Sequence, residues 1–256
     1  MNRPLRITVA SSSVGYFVRP PGEDRTEGSY PERVNDLLAA AGVPNQVSNQ
    51  SYWLGEVHDA FHHIEERVVS FSPDVVIVGF GWLECQPKVF PTALLRWLTT
   101  YRPRLRPWAL PWRSKAVRGI SRLYKWGTPA VASRWRGVPS RMSPERFERE
   151  MTRYVTVVGK ELRALVLVMN LNPTSDRIAD VLPGVHERTQ QYSDLIERVV
   201  ERAGPDVRLV DTRSLVEGLA VDKILPDGIH YNVEGHRLVA DMLVAEIMSW
   251  LAAQST

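Results

Sequence analysis

Short, wholly apolar runs alternate along this chain with longer stretches of helical period, and that alternation limits the possible folds most. "PDVVIVGFG" (residues 73–81) is entered through a proline, is wholly apolar after Asp74 and is left through glycine; "ALVLVMN" (164–170) is a second run that reads as a buried strand. A strand apolar at every position has both faces covered, which points to a parallel sheet between two helical layers. "PLRITVA" (4–10) reads as the first strand and ends at Ser11, Ser12 and Ser13, while "NQVSN" (45–49) and "VRLVD" (207–211) are shorter strands. Between them lie helical patterns. "SYPERVNDLLAAAG" carries Pro31 early in its first turn and Gly42 as its stop. "GEVHDAFHHIEERVVSF" sets Val57, Phe61, Ile64 and Val68 on one helical face. Ser143 caps "SPERFEREMTRYVTVVGKEL", Gly204 closes "HERTQQYSDLIERVVERAG", and "EGHRLVADMLVAEIMSWL" is the last helix. The predicted class is α/β: a three-layer αβα sandwich around a five-stranded, doubly wound parallel sheet. The first strand is expected at its centre, with functional groups at the carboxyl ends of the strands.

The 256 residues suffice for one such domain with a core that needs no cross-links. Cys85 is the single cysteine, so neither an internal disulfide nor a cysteine-based zinc cluster can form, which fits a reducing compartment. The start lacks the apolar core of a secretion signal, and no apolar run approaches a membrane span. A cytoplasmic location is expected, with the inner membrane face as a peripheral site.

One segment breaks the alternation. From Arg96 to Gly137 the chain is basic and without acids, and it holds Trp97, Trp108, Trp112, Trp126 and Trp135. Pro103, Pro107 and Pro111 interrupt any long amphipathic helix there. Three readings fit: a helical or irregular cap over a site, a patch lying on an anionic membrane surface, or an electrostatic nucleic-acid binder. The cap, spanning about residues 90–142 and touching an anionic, lipid- or nucleotide-linked substrate, suits the prolines best. No nucleic-acid partner is expected.

The chemistry rests on two ends of the chain. A serine at a strand's carboxyl edge becomes a nucleophile when a histidine takes its proton and a carboxylate orients that histidine. "PDGIHYNVEGH" (226–236) offers Asp227 and His230 in one turn, and Ser11–Ser13 offer the hydroxyl. Taken singly, serines at strand exits are turn formers and an Asp-x-x-His spacing is commonplace. Together, on a sheet that gathers both at one edge, they point to acyl transfer.

These segments resemble the SGNH (GDSL-like) hydrolases, a flavodoxin-like fold. "DGIHYNVEGH" is similar to their last block, and "ITVASSSVG" occupies the place of the first, with Ser13 at the nucleophile and Ser11 and Ser12 in place of Gly and Asp. In the second block Asn49 is retained while Ser51 stands at the glycine whose N–H helps bind the oxyanion. In the third block, "GFGWLECQPK", Gly81 is present but Leu83 holds the position of the oxyanion-binding asparagine. Losing such a donor costs about 3–4 kcal/mol of transition-state stabilisation, so Gln86 or backbone N–H groups are expected to substitute. "FVRPP", "GFGWLECQPK" and "DGIHYN" together resemble a divergent SGNH-like group from bacterial polysaccharide and natural-product gene clusters.

Other candidates weigh less. Arg19 in "FVRPP" is equally a substrate clamp or a solvated loop residue. Cys85 reads as a packing residue. His58, His62 and His63 form a solvated helix face without a third ligand, so no metal is expected. His236 reads as a first-turn surface residue, and Asn170 and Asn172 as loop caps. Gly79 and Gly81 make no nucleotide fingerprint, and no cofactor is implied. The expectation is one SGNH-like domain over residues 1–256: a serine-dependent acyl-ester hydrolase or acyltransferase. Its substrate is a small-molecule or glycan-type ester, an acylated sugar or natural-product intermediate. Ser13, Asp227 and His230 are its triad; Ser51, Gly81, Gln86, Arg19 and Asn49 serve the oxyanion and substrate. The alternative is a catalytically impaired SGNH-like module that binds an anionic glycan, lipid-linked or nucleotide-linked ligand.

Overall fold

The structure is a computed structural model that describes residues 3–15, 28–51, 55–87, 139–182 and 184–254. In chain order β1 (Leu5–Ser11) leads to α1 (Tyr30–Ala40), β2 (Asn45–Asn49), α2 (Val57–His62), β3 (Val75–Gly79) and the short α3 (Trp82–Cys85). Then follow α4 (Pro144–Thr156), β4 (Leu165–Met169), α5 (Val185–Ala203), β5 (Val207–Val210) and α6 (Val233–Ala253). The five strands form one parallel sheet in the order β2-β1-β3-β4-β5. The centre therefore belongs to β3, and β1 is its neighbour rather than the central strand expected. From β1 the chain steps outward to β2 and then crosses back to β3, so the topological switch point lies between β1 and β3.

Alternation along the strands divides the core in two. Ile7, Val9, Ile77, Leu165 and Leu167 face α1 and α6, where they meet Val34, Leu38, Val239, Leu243 and Ile247. Val76, Val78, Val166 and Val168 face the other way onto Phe147, Met151 and Tyr154 of α4 and Tyr192, Leu195 and Ile196 of α5. Full burial of such a side chain stabilises the fold by about 1.5–3 kcal/mol, so the pattern that identifies the strands also holds the layers together.

Three local expectations need correction. The helix expected over residues 55–71 is broken at His63 into Val57–His62 and Ile64–Arg67, followed by a 3₁₀ turn, Val69–Phe71. Tertiary packing wins over local period here, because Val57, Ala60, Ile64 and Val68 all reach the core across that break. The helix from Ser143 ends as α-helix at Thr156 and continues as a wider turn, Val157–Glu161, that brings Gly159 against Val166 and Val207. His236 is buried, and its Nδ1 accepts the N–H of Tyr30 at 3.2 Å. That N–H is one of the unpaired donors at the start of α1, so a residue expected in solvent instead joins α6 to α1.

No helix among the described residues is long and apolar enough to cross a membrane. Residues 88–138, which hold nearly all of the basic Trp-rich segment, lie outside the described residues, as does Arg19. The two roots of that segment are described and pair: Pro87 and Ser140 form an antiparallel bridge, and Arg141 N–H donates to Gln86 O at 2.8 Å.

Candidate active site

The register brings three loops to one edge. Ser11 pairs with Gly79 and Val9 with Asn49, so β1, β2 and β3 end side by side. Ser13 opens a single 3₁₀ turn, Ser13–Gly15, immediately beyond β1. This turn depends on glycine: a Cβ at Gly15 would lie 2.1 Å from Ser11 Oγ and 2.2 Å from Ser51 Oγ. Those two hydroxyls share a hydrogen bond of 2.9 Å. The two serines that the resemblance sets at glycine positions of the first and second blocks thus pair with each other across the exits of β1 and β2.

The second half of the site comes from the turn before α6. Gly228 has φ +83°, and a Cβ there would strike Ile178 Cγ1 at 2.3 Å and Ser175 Oγ at 2.6 Å, so glycine is required for conformation and for space. Asp227 Oδ1 accepts the backbone N–H groups of Ile229 (2.9 Å) and His230 (2.7 Å). An aspartate that folds back on its own backbone holds such a turn without outside help. Its other oxygen, Oδ2, lies 2.7 Å from His230 Nδ1, and His230 Nε2 lies 3.0 Å from Ser13 Oγ. The carboxylate draws the ring proton to Nδ1, leaving Nε2 as the acceptor for the serine hydroxyl. Burial pushes the Asp227 carboxyl up, but the His230 ring, the two backbone N–H groups and the imidazole charge outweigh it and hold the carboxyl below its usual range. Asn232 then caps α6, accepting Gly235 N–H at 2.9 Å.

The expected oxyanion side is arranged differently. Ser51 N–H donates to Asn49 Oδ1 at 3.1 Å, and Ser51 Oγ–H to the same oxygen at 2.6 Å. Gly81 N–H donates to Glu84 Oε2 at 2.9 Å. The N–H of Ser51, expected to help receive the oxyanion, and that of Gly81 are therefore both directed at side-chain oxygens instead. Gln86 stands half-buried at the root of the Trp-rich segment, its carbonyl taken by Arg141. Leu83 is buried. The backbone N–H of Ser13 donates to no acceptor among the described residues. Asn49 sits where the sequence placed it, but it acts by positioning, since its Nδ2 donates to Gly15 O at 2.9 Å and ties β2 to the nucleophile turn.

A narrow cleft opens at the same sheet edge, between the ends of β1, β3 and β4 and the 225–231 loop; Ser12 and Val14, the neighbours of Ser13 in the chain, line it, while Ser13 and His230 do not. Val14, Trp82, Met169, Leu171, Ile229 and Tyr231 are among its walls. It encloses about 430 Å³ counting its open mouth. Ser12 also lines it; its Oγ is buried and has no hydrogen-bond partner among the described residues. Tyr231 OH donates to Asn172 Oδ1 at 3.0 Å, which props the 225–231 loop against the β4 exit. Asn170 accepts Arg213 N–H at 2.9 Å and donates to Asp211 at 2.8 Å, the capping role expected of it. Cys85 is fully buried, its thiol donating to Trp82 O, and burial drives its ionisation far above the ordinary range. His58 and His62 face each other at 3.1 Å, and no group of three or more His, Cys, Asp or Glu among the described residues is arranged for a metal. Sequence reasoning missed the Ser11–Ser51 pair and the burial of Glu84. Neither leaves a signal in spacing, because both depend on which loops meet.

No family model matches the sequence. Over 175 residues the chain is 29% identical to the diglucosylglycerate octanoyltransferase of Mycolicibacterium hassiacum, a match that takes in 66% of this chain. The chain spans 64% of that relative's length. Among solved structures it is similar to the lipase/acylhydrolase of Enterococcus faecalis, with a TM-score of 0.64, 13% identity and 95% of each chain covered. An acetylxylan esterase of Geobacillus stearothermophilus matches with a TM-score of 0.60 and 17% identity over 95% of this chain and 94% of the other. A GDSL-like lipase structure from Parabacteroides merdae matches with a TM-score of 0.58 and 13% identity over 94% of each chain. The fold is that of the SGNH (GDSL-like) hydrolases.

Proposed function

We propose that this chain is a serine-dependent acyl-ester hydrolase or acyltransferase whose substrate is an acylated sugar. The observation that carries the reading is the unbroken chain from Asp227 through His230 to Ser13, with contacts of 2.7 and 3.0 Å. Ser13 Oγ attacks the ester carbonyl while His230 Nε2 takes its proton, and Asp227 stabilises the imidazolium that forms. The tetrahedral oxyanion meets the Ser13 backbone N–H. Its collapse expels the alcohol, which leaves with the proton from Nε2, and an acyl-Ser13 remains. Water or a sugar hydroxyl then gives its proton to the same nitrogen and attacks the acyl carbon. Hydrolysis and transfer differ only in this second nucleophile. The apolar walls of the cleft suit the acyl chain. The sugar reading draws its support from the named activities of the octanoyltransferase and of the acetylxylan esterase.

The test is an acyl series, p-nitrophenyl acetate through octanoate, with water alone and with diglucosylglycerate as acceptor, on the wild type and on Ser13→Ala and His230→Ala. Each substitution is expected to remove about 10⁴-fold or more of kcat. Turnover that persists undiminished in both would sink the triad. One observation favours a second reading, a binding module for an anionic glycan, lipid-linked or nucleotide-linked ligand: the N–H groups of Ser51 and Gly81 are already engaged. That reading expects ligand binding with no turnover of any ester in the series.

A further inference from the structure

The proposed chemistry leaves unused an acid that is fully buried among the described residues. Glu84 stands in α3 just beyond β3 and has no solvent exposure. Its Oε1 accepts the N–H of Val57 at 2.6 Å, and its Oε2 the N–H of Gly81 at 2.9 Å. Val57 begins α2, on the path out of β2 beyond Ser51; Gly81 lies just after the end of β3. A single side chain therefore joins the two loops that flank the nucleophile turn. The Trp-rich segment is rooted on the same spot, since Met142 N–H donates to Glu84 O at 3.2 Å.

We propose that Glu84 is a positioning residue: as a carboxylate it clamps the loop leaving β2 to the loop leaving β3, and its protonation releases the clamp. A carboxylate only accepts, so both oxygens can serve the two N–H groups; a carboxylic acid turns one oxygen into a donor, which then faces another donor. Two opposed effects set the charge. Burial favours the neutral acid, the N–H groups favour the anion, and the result is a carboxyl pushed up to about 7. The charged and titratable groups that face it act in the same sense or weakly. Glu56 raises it further, although Arg141 holds Glu56 at 3.2 Å. Cys85 and Tyr192 are themselves pushed up and neutral, and Arg188 acts on Cys85. The clamp thus opens within the range where an esterase operates. Its effect on rate rests on the serine chemistry proposed above; the clamp itself does not.

Two measurements on the full chain separate these. The first is amide exchange at Val57 and Gly81, corrected for intrinsic rates, from about pH 8 to about pH 6 in the wild type and in Glu84→Gln. Loss of one hydrogen bond predicts that wild-type protection falls about fivefold towards acid, and that the Gln variant shows reduced protection without pH dependence. The second is the pH profile of kcat/KM on p-nitrophenyl acetate. Protonation of Glu84 adds one to the limiting slope of the wild type's acid limb; Glu84→Gln is expected to lose that added unit and to have a lower plateau. A merely structural glutamate would lower the plateau and leave the limb unchanged. Wild-type protection that does not vary with pH overturns the clamp, even if the variant cannot be folded. pH-dependent protection without any esterase activity upholds the clamp and refutes the enzyme.

Discussion

On one side of Ser13 a short turn delivers a carboxylate and an imidazole in line with the hydroxyl. On the other, two loops that resemble oxyanion-binding blocks have directed their N–H groups at Asn49 and Glu84. The first region is built from side chains whose spacing is local: Asp227 locks its own turn through Ile229 and His230 before it touches the ring. The second is built from backbone donors, which every residue but proline has and whose direction depends on what packs nearby. The contacts from Asp227 through His230 to Ser13 can therefore form whatever the direction of those backbone donors. Around the donors the loops bond to each other, and the Ser11–Ser51 hydroxyl pair above Gly15 is the plainest case.

The largest effect that would sharpen this contrast is expected from Asp227→Asn. The amide oxygen can keep the two backbone N–H bonds, so the turn survives. Its NH₂ group, however, faces His230 Nδ1 and draws the ring proton to Nε2, where the base is needed. A loss of about 10⁴-fold in kcat is expected, with little change in melting temperature. Steady-state kinetics beside thermal unfolding checks it; a loss of activity that tracks loss of fold would make Asp227 a turn former and nothing more. Because hydrogen bonds hold the Asp227 carboxyl below its usual range, its own contribution to stability is present at neutral pH. It disappears only as pH falls through that lowered value.

Glu84 in the other region has the opposite sign. Its carboxyl is pushed up to about 7 in the fold, whereas an unfolded glutamate titrates at about 4.3. The stability tied to the neutral form is fully present below the unfolded value and is lost as pH rises through the folded one. Relative to Glu84→Gln, the wild type should lose about 3 kcal/mol between about pH 4.5 and about pH 7.5. Denaturant unfolding of both proteins across that range measures the difference directly, and parallel pH curves would mean that the fold leaves the ionisation of Glu84 unshifted. Taken with the proposed clamp, the ionised form that orders the loops is the form the fold tolerates least.

The legibility of the sequence follows the same division. Five strands were readable because an apolar run buried on both faces has few other solutions; the meeting of Ser13, Asp227 and His230 was expected from the Asp-x-x-His turn and from the resemblance that singles out Ser13 among three serines. The place of β1 beside the centre was not readable, since strand order is set by crossovers rather than by any strand's composition. Nor was the burial of His236: its pairing with Tyr30 N–H depends on α1 and α6 lying together, 206 positions apart in sequence. The resemblance sets Ser51 at a donor position, yet sequence says nothing about where its N–H points, and it points at Asn49.

The smallest effect tests the contrast most closely, at Asn49. Its side chain bonds to Gly15 O, to Ser51 N–H and to Ser51 Oγ–H. Asn49→Ala removes them all and so does two things at once. It loosens the turn that carries Ser13, which disfavours the attack geometry. It also frees the Ser51 N–H, which would favour the oxyanion if that group can turn towards it. If positioning governs, kcat on a short ester falls about tenfold, equivalent to about 1.4 kcal/mol, with KM unchanged. If the trapped donor governs, kcat rises instead. A Ser51→Gly partner variant separates the cases further, because it keeps Asn49 on Gly15 O while removing the Ser11 hydroxyl bond. A rise in Asn49→Ala alone would assign the gain to the freed Ser51 N–H, which Ser51→Gly leaves on Asn49; a fall in Asn49→Ala alone assigns Asn49 to holding the nucleophile turn.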